Sequence, residues 1–193
     1  STIHIYAIEY KDEKNISENN QMNPLAEMVF ISEIVLQSKI AQRAAKRLPD
    51  DLGNIDRVEV WCSIQSILSA AGNVSKILWP GSKKYHDRSE KLRTLLKVDN
   101  DNLLANRTFR NHLEHYDERI ESWFKEQPSA VYHDLAINPF KSIWGDTQEN
   151  NHRVYNPVTK TLTFRGKSFN LNEIINELND IQLKCSPYVN MKY

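Results

Sequence analysis

Apolar side chains recur at steps of three and four residues over four stretches of the chain, a spacing typical of amphipathic helices. The first stretch opens at Asn23 and Pro24, an asparagine N-cap followed by a proline in the first turn, and the sequence LPDDLGN breaks it. The second covers residues 55–78 and stops at WPGS, because proline and glycine together do not continue a helix. The third and fourth are predicted over residues 89–97 and 101–127, and a proline follows the last one.

Sequence that favours strands lies at both ends of the helical region. Residues 2–10 are β-branched and aromatic, which predicts a strand, and the polar, amide-rich residues after them predict a loop. Beyond Pro128, the runs AVYHDLAI, HRVYN and TLTFRG are short and β-prone, and the last two predict a hairpin across PVTK. A final helix is predicted from Asn170, because Asn170 and Glu173 form a capping-box pattern ahead of apolar residues at helical spacing.

Together these elements predict a mainly α fold, with a four-helix-bundle-like core, a small C-terminal β-hairpin element and a final helix. Residues 1–22 are predicted to form an N-terminal strand and loop, and residues 23–128 the helical bundle. Residues 129–193 then supply the small β element and the C-terminal helix, packed on the same domain. The run SAAGNVS in the second helix has small side chains, so a neighbouring helix is expected to approach it closely.

The composition is that of an ordinary globular protein, with 40% apolar and 26% charged residues among 193 and a formal net charge of zero. No global field therefore draws the chain to nucleic acid or membrane. No apolar run approaches the ~20 residues that a membrane-spanning helix needs, and no signal-peptide pattern is visible, so we expect a cytoplasmic protein. Cys62 and Cys185 predict reduced thiols, and Cys62, beside Trp61 in an apolar stripe, is expected in the core rather than as a nucleophile.

The fourth predicted helix separates apolar from titratable side chains by face. At about 100 degrees per residue, one stripe is expected to face the core: Phe109, Leu113, Tyr116, Ile120, Trp123 and Phe124. The opposite face gathers the polar side chains Arg107, Asn111, Glu114, His115 and Glu118. Arg110 falls at the border of the two faces, and His112 is interpreted as incidental. His112 and His115 lack the spacing of a two-histidine zinc motif, so no metal and no other cofactor is predicted.

Arg110 and Asn111, followed after three residues by His115, carry a resemblance to a known family. An arginine, commonly followed by a polar residue, and a histidine four to six residues later form the motif of the HEPN superfamily. Over about residues 23–128, the helical outline and the place of the motif on a late, long helix also resemble that family. Its active members are small helical bundles that act as metal-independent endoribonucleases in toxin–antitoxin, phage-defence and RNA-processing systems.

The resemblance implies a site and a partner. His115 would be the acid and base of RNA cleavage, Arg110 would hold the phosphate with its planar fork of donors, and Asn111 would orient either group. Arg110 and His115 lie about 140 degrees apart on an ideal helix, and family members resolve this by dimerising around a shared cleft. A homodimer is therefore implied, and an antitoxin or another protein partner is compatible with it.

A second candidate is the basic run at residues 82–97, where Lys83, Lys84 and Arg88, together with Arg107, are predicted to bind the RNA backbone. Tyr85 and His86 are available there for stacking on bases. The alternative is an ordinary amphipathic helix whose leucines face the core, at positions Leu92, Leu95 and Leu96.

The motif also has a purely structural interpretation. Arg110 and Glu114 have the spacing of a salt bridge within a helix, and His115 is placed to hydrogen-bond Asn111. On this interpretation the protein is a non-catalytic helical module that binds another protein or a nucleic acid.

Overall fold

The structure is a computed structural model that describes residues 22–49, 53–126, 132–137 and 151–189. The predicted strand at residues 2–10, most of the loop after it, and Pro128 lie outside this described part. Within it, the chain forms six α-helices: α1 Pro24–Ala45, α2 Arg57–Leu78, α3 His86–Leu96, α4 Thr108–Glu114, α5 Tyr116–Glu126 and α6 Leu171–Cys185. Two 3-10 turns, Lys83–Tyr85 and Leu103–Ala105, precede α3 and α4.

The two longest helices, α1 and α2, form the centre of the bundle. The side chain of Asn23 accepts hydrogen bonds from two N–H groups of the first turn of α1, and Asp56 does the same for α2. Most of the small-residue run of α2 is buried, although Ser69 and Asn73 are exposed. The expected close approach of a neighbouring helix occurs at Gly72, where an added Cβ would lie 3.7 Å from Cγ of Arg110 on α4. The prediction that Cys62 lies in the core is wrong, since its side chain is exposed.

Helix α3 starts three residues earlier than predicted, directly after the 3-10 turn at Lys83–Tyr85. Leu92 and Leu96 are buried against α2 and the rest of the core, and Leu95 is half-buried. The predicted core-facing leucines are therefore confirmed.

The fourth predicted helix is two helices joined at His115. His115 has φ −116° and ψ 37°, outside the helical range, although its N–H still bonds the Asn111 carbonyl and its own carbonyl still accepts from Arg119. The bend contains neither proline nor glycine. It turns Tyr116 towards the β-sheet, where its ring lies 4.8 Å from the Arg153 guanidinium. The prediction of one continuous core-facing stripe is therefore wrong at Tyr116 and at Phe124, which is 49% exposed.

A four-stranded sheet covers one end of α2 and α4. Its strands, β1 Ala136–Ile137, β2 Arg153–Asn156, β3 Thr161–Phe164 and β4 Lys167–Asn170, are neighbours in that order, with β1 parallel to β2 and the other pairs antiparallel. The predicted hairpin is β2–β3, in which the Asn156 side chain accepts from the N–H groups of Val158 and Thr159. Strand β4 was not predicted. It follows the two-residue turn Arg165–Gly166, where both residues have positive φ, as the tightest hairpins require.

Helix α6 returns the chain to the bundle and packs along α1. The Asn170 side chain caps it through the N–H groups of Asn172 and Glu173, as predicted. Gln42 of α1 donates to the side chains of Asn179 and Gln182 of α6 at 2.7 and 2.5 Å. The buried apolar residues of α1, α2, α3, α4 and α6 and of β2 and β3 form one hydrophobic cluster, which does not include Trp123 of α5. The predicted class, mainly α with a minor β element and a final helix, is confirmed.

Candidate functional site

Two arginines of α4 converge on the turn that follows α2. Arg107 is exposed and donates from Nη2 to the carbonyl oxygen of Pro80 at 2.9 Å. Arg110 donates from Nη1 to the Ser75 hydroxyl at 3.3 Å. A Cβ added at Gly81 would lie 3.6 Å from Nη1 of Arg107 and 4.0 Å from Nη2 of Arg110. The two guanidinium groups therefore flank one turn, residues 79–82, in which Gly81 and Ser82 are exposed. We call this segment the arginine turn.

Arg110 is buried, with 7% of its surface exposed, and does not lie at the border of the polar face as predicted. Among the described residues, no carboxylate lies within ion-pairing distance of it. Glu114, the predicted partner, instead pairs with Lys76 of α2. Burial lowers the pKa of the Arg110 guanidinium, nearby Glu114 opposes this, and Arg107 adds to it. A desolvated cation without a counter-ion is costly, so an anion bound at the arginine turn would offset part of this cost.

His115 faces the opposite way. About half of its side chain is exposed, and Nδ1 lies 3.3 Å from Oε1 of Glu118. The predicted side-chain contact with Asn111 is therefore replaced by the pair with Glu118, while Asn111 is exposed one turn earlier. In the described part of the chain, no hydrogen bond or ion pair joins Arg110 to His115. A single protomer thus keeps the two motif side chains apart, in line with their angular separation on a helix.

The basic run divides into exposed and half-buried side chains, and Nζ of the exposed Lys84 lies 5.5 Å from the centroid of the Tyr85 ring. Lys83 and Lys84 are exposed and follow the arginine turn directly, and Tyr85 beside them is 44% exposed. Arg88 is half-buried: its guanidinium lies 4.6 Å from the ring of Phe30 and donates to the Ile77 carbonyl at the end of α2. Arg88 therefore packs against the end of α2, whereas the two lysines extend the positive surface of the arginine turn.

A second cluster lies on the other side of α4, around a half-open cavity of about 380 Å³ between α2, α4 and the sheet. Trp61, Tyr116 and Phe164 supply aromatic walls, and Gln65 is exposed at the cavity. The indole nitrogen of Trp61 donates to the Leu135 carbonyl at 3.0 Å, which fixes the plane of its ring. The cavity volume is in the range of small-molecule sites.

His112, interpreted from sequence as incidental, is buried in the wall of this cavity. Its ring stacks on Phe164, with centroids 5.2 Å apart and planes 11° from parallel. Neither of its nitrogens has a hydrogen-bond partner among the residues that the structure describes. Burial, followed by the charges of Arg119 and Lys167, lowers the pKa of His112 to about 4, so the ring is neutral at physiological pH.

Arg153 of β2 also lines the cavity. It donates from Nε and Nη2 to the two carboxylate oxygens of Asp134, at 2.9 and 2.6 Å. Burial alone would raise the pKa of Asp134, but the hydrogen bonds and charge of Arg153 and the Leu135 N–H outweigh it, so this pKa lies below its usual value. The pair therefore stays ionised and places little net charge at the cavity.

Sequence reasoning missed His112, Arg153 and Asp134 as members of one site. Arg153 and Asp134 sit in the β-prone runs HRVYN and AVYHDLAI, and a charged residue inside such a run was the available signal. Their meeting depends on the parallel pairing of β1 with β2, and β1 is only two residues long. A strand that short has no periodicity that reveals its partner.

Comparisons with known proteins leave the site to be interpreted from its own geometry. Family models, curated proteins and solved structures gave no match to this chain. The described residues contain no group of three or more histidine, cysteine, aspartate or glutamate side chains placed to hold a metal ion. None of the described helices has the length and apolar character to cross a membrane.

Proposed function

We propose that this chain is a HEPN-like, metal-independent endoribonuclease of the cytoplasm, with a role in toxin–antitoxin or defence-type systems. RNA is cut when a 2′-hydroxyl attacks the adjacent phosphate. The 2′-oxygen–phosphorus bond forms, the bond from phosphorus to the 5′-oxygen breaks, and the products carry a 2′,3′-cyclic phosphate and a 5′-hydroxyl.

The observation that carries the proposal is the pairing of Arg107 and Arg110 at the arginine turn. Arg110 is a buried cation that no described carboxylate neutralises, and its Nη2 lies beside the exposed Gly81. Arginine binds phosphate through a planar set of donors, and preorganised cations stabilise the charge that develops in phosphoryl transfer. Lys83 and Lys84 continue the positive surface along the path of the RNA backbone.

His115 supports the proposal as the proton-transfer group. Its ring is accessible, and Glu118 at 3.3 Å holds Nδ1 and so directs Nε2 outward. The reaction needs a base that accepts the 2′-hydroxyl proton and an acid that protonates the leaving 5′-oxygen. Asn111, exposed one turn earlier, is placed to orient the substrate next to His115.

The site is proposed to be completed by a second copy of the chain. Because Arg110 points into the protein and His115 points out, one protomer does not bring cation and imidazole together. A homodimer supplies two copies of His115, one to act as base and one as acid, with the arginine turns on either side of the bound strand. This is the arrangement that the family resemblance implies.

The test is cleavage of single-stranded RNA in EDTA by the wild-type protein and its variants. His115→Ala is expected to lower the rate at least ~100-fold, the usual contribution of general acid–base catalysis. Gly81→Val is expected to lower it at least ~10-fold, because the added side chain covers both guanidinium groups and leaves the buried Arg110 in place. The Gly81 variant is preferred to Arg110→Ala, which also empties a buried position.

Two matched variants serve as controls, His133→Ala and Arg43→Ala, which remove an exposed histidine and an exposed arginine that have no part in the proposed site. Both should cleave RNA at the wild-type rate, and circular dichroism should show all variants folded. If the protein binds RNA without cleaving it, the alternative of a non-catalytic binding module would be supported instead of the enzyme. Cleavage that is indifferent to both His115→Ala and Gly81→Val would contradict the proposed site.

A further inference from the structure

The cavity beside α4 has no part in the cleavage chemistry proposed above, yet it is built like a binding site. Its walls are the flat rings of Trp61, Tyr116, Phe164 and His112. The imidazole of His112 is 97% buried and has no hydrogen-bond partner in the described part of the chain. A buried polar group without a partner is costly unless a ligand or an ordered water completes it.

The polar atoms around the cavity define the chemistry that fits it. A neutral imidazole offers one N–H donor and one bare nitrogen acceptor, and Gln65 offers an amide donor and acceptor at the rim. Arg153 is already paired with Asp134, which leaves Nη1 as the nitrogen outside that pair. An uncharged, planar ring with donors and acceptors along its edge matches this wall, because the flat side chains can stack on its faces and the imidazole and amide can hydrogen-bond its edge.

The position of the cavity relates it to the proposed cleavage site. His112 and Leu113 line it from α4, and Tyr116 lines it from the start of α5, so the cavity brackets His115 in the sequence. His115 itself lies at the bend between these helices and faces solvent. If a ring in the cavity is part of a longer ligand, the rest of that ligand would therefore pass close to His115.

We infer that this cavity binds one unpaired RNA base next to the phosphate on which His115 acts. The choice of an RNA base among planar heteroaromatic rings rests on the proposed function. Stacking on aromatic side chains and hydrogen bonds to the edge of an unstacked base are the usual means by which proteins recognise single-stranded RNA. The cavity would thus give the enzyme a preference for one base beside the cleaved bond.

The inference is tested by binding, which is measured separately from cleavage. The wild-type protein is titrated with adenosine, guanosine, cytidine and uridine, and with a short single-stranded RNA carrying 2′-O-methyl groups that block its cleavage. Isothermal calorimetry gives the affinities, and the tryptophan fluorescence of the protein, to which Trp61 in the cavity wall contributes, gives a second signal. One nucleoside is expected to bind at least fivefold more tightly than the others, and the RNA containing that base more tightly still.

Two variants locate the binding. His112→Phe keeps the stack on Phe164 but removes both nitrogens, and is expected to weaken nucleoside and RNA binding at least fivefold. Leu113→Trp fills the cavity and is expected to abolish nucleoside binding. Leu183→Trp, which adds the same ring at an exposed site on α6, is the matched control and should bind like the wild type.

The inference would be overturned by no nucleoside binding at millimolar concentration, by binding that is unchanged in both cavity variants, or by equal binding of an apolar ring such as naphthalene. A free nucleoside that binds as tightly as the blocked RNA would also overturn it, since the ligand would then be a small molecule. If the cavity binds a base but the protein does not cleave RNA, the base-binding site is supported and the proposed ribonuclease activity is rejected. If cleavage requires His115 but the cavity variants change neither cleavage nor binding, the ribonuclease activity is supported and the base-binding site is rejected.

Discussion

The ring of His112 packs against the sheet and makes no hydrogen bond to any residue that the structure describes, unlike most buried histidines. It stacks on Phe164 and meets Phe169 edge-on, so its direct ring contacts are the kind that a phenylalanine side chain would make. The lowered pKa of about 4 follows from this burial and from the positive charges around it, chiefly Arg119 and Lys167. The folded protein therefore keeps the ring neutral at a pH where an unfolded chain has already taken up a proton.

This difference predicts a loss of stability in mild acid. Between the usual histidine pKa of about 6.5 and the folded value of about 4, only the unfolded chain binds the proton, so stability is full above this window and falls as the pH falls through it. From pH 7.5 to 5.0 the contribution of His112 amounts to about 2 kcal/mol of unfolding free energy. Urea denaturation of the wild type and His112→Phe at the two pH values measures it.

The variant keeps the aromatic stack and lacks the titrating group, so its unfolding free energy should fall much less over the same range. His86→Gln, at an exposed position, should behave like the wild type. An equal fall in wild type and His112→Phe would show that the burial of His112 does not set the acid sensitivity.

At the residue scale, the sequence predicts burial and exposure correctly for residues in the middle of a helix face, and less well for residues at the border between two faces. The five polar residues assigned to the outer face of the motif region are all exposed, and Phe109 and Trp123 are buried as predicted. Arg110 and His112 lie next to the border on the helical wheel, and both are buried because α2 and the sheet pack against them. No periodicity within one helix contains that information.

The end of α3 is a complete Schellman motif formed without glycine. The N–H of Val98 bonds the Arg93 carbonyl at 2.9 Å, and the N–H of Lys97 bonds the Thr94 carbonyl at 3.2 Å. Lys97 has φ 54° and ψ 47°, the left-handed conformation that costs an L-residue free energy. The two hydrogen bonds therefore end α3 at this position, although they hold Lys97 in a conformation that a lysine does not favour.

Lys97→Gly is accordingly expected to raise the free energy of unfolding by roughly 0.5–1 kcal/mol, because glycine adopts this conformation without strain. Lys91→Gly, in the middle of the same helix, should lower it by about 1 kcal/mol. Chemical denaturation of both variants and of the wild type shows whether each change raises or lowers the free energy of unfolding. A Lys97→Gly protein that is less stable than the wild type would contradict the assigned helix end.

At the element scale, local signals were sufficient for caps and turns. Asn23 and Asn170 cap the helices they were predicted to start, and the β2–β3 hairpin forms across the predicted turn. The bend at His115 was not predictable, since it has no breaker residue and coincides with contacts from Arg153 and Arg165 of the sheet region. Those contacts are more than thirty residues away in the sequence.

At the scale of the whole molecule, the mainly α class followed from the number and length of the periodic segments. The hydrophobic cluster shared by the helices and the sheet also agrees with the predicted packing of the C-terminal helix on the bundle. The domain boundaries at residues 22 and 128 stay predictions, because both fall at or beside residues outside the described part. The catalytic assembly is a prediction of the same kind, since it joins two copies of the chain.

The proposed shared cleft predicts a dimer in solution. Light scattering coupled to size-exclusion chromatography should give twice the chain mass of 22.5 kDa at micromolar concentration. The mass should be unchanged in His115→Ala, since this exposed ring contributes to chemistry rather than to folding. A strict monomer that still cleaves RNA would reject the shared cleft and require both proton transfers within one protomer.

The most direct test of the central claim is the chemical nature of the RNA ends made in EDTA. Attack by the 2′-hydroxyl predicts a 2′,3′-cyclic phosphate on one product and a 5′-hydroxyl on the other, formed by the wild type and lost in His115→Ala. Mass spectrometry of the cleaved oligonucleotide distinguishes these ends from the 3′-hydroxyl and 5′-phosphate that attack by water would leave. Cyclic phosphate that depends on His115 is the predicted result; intact RNA, or cleavage that persists without His115, would contradict the account.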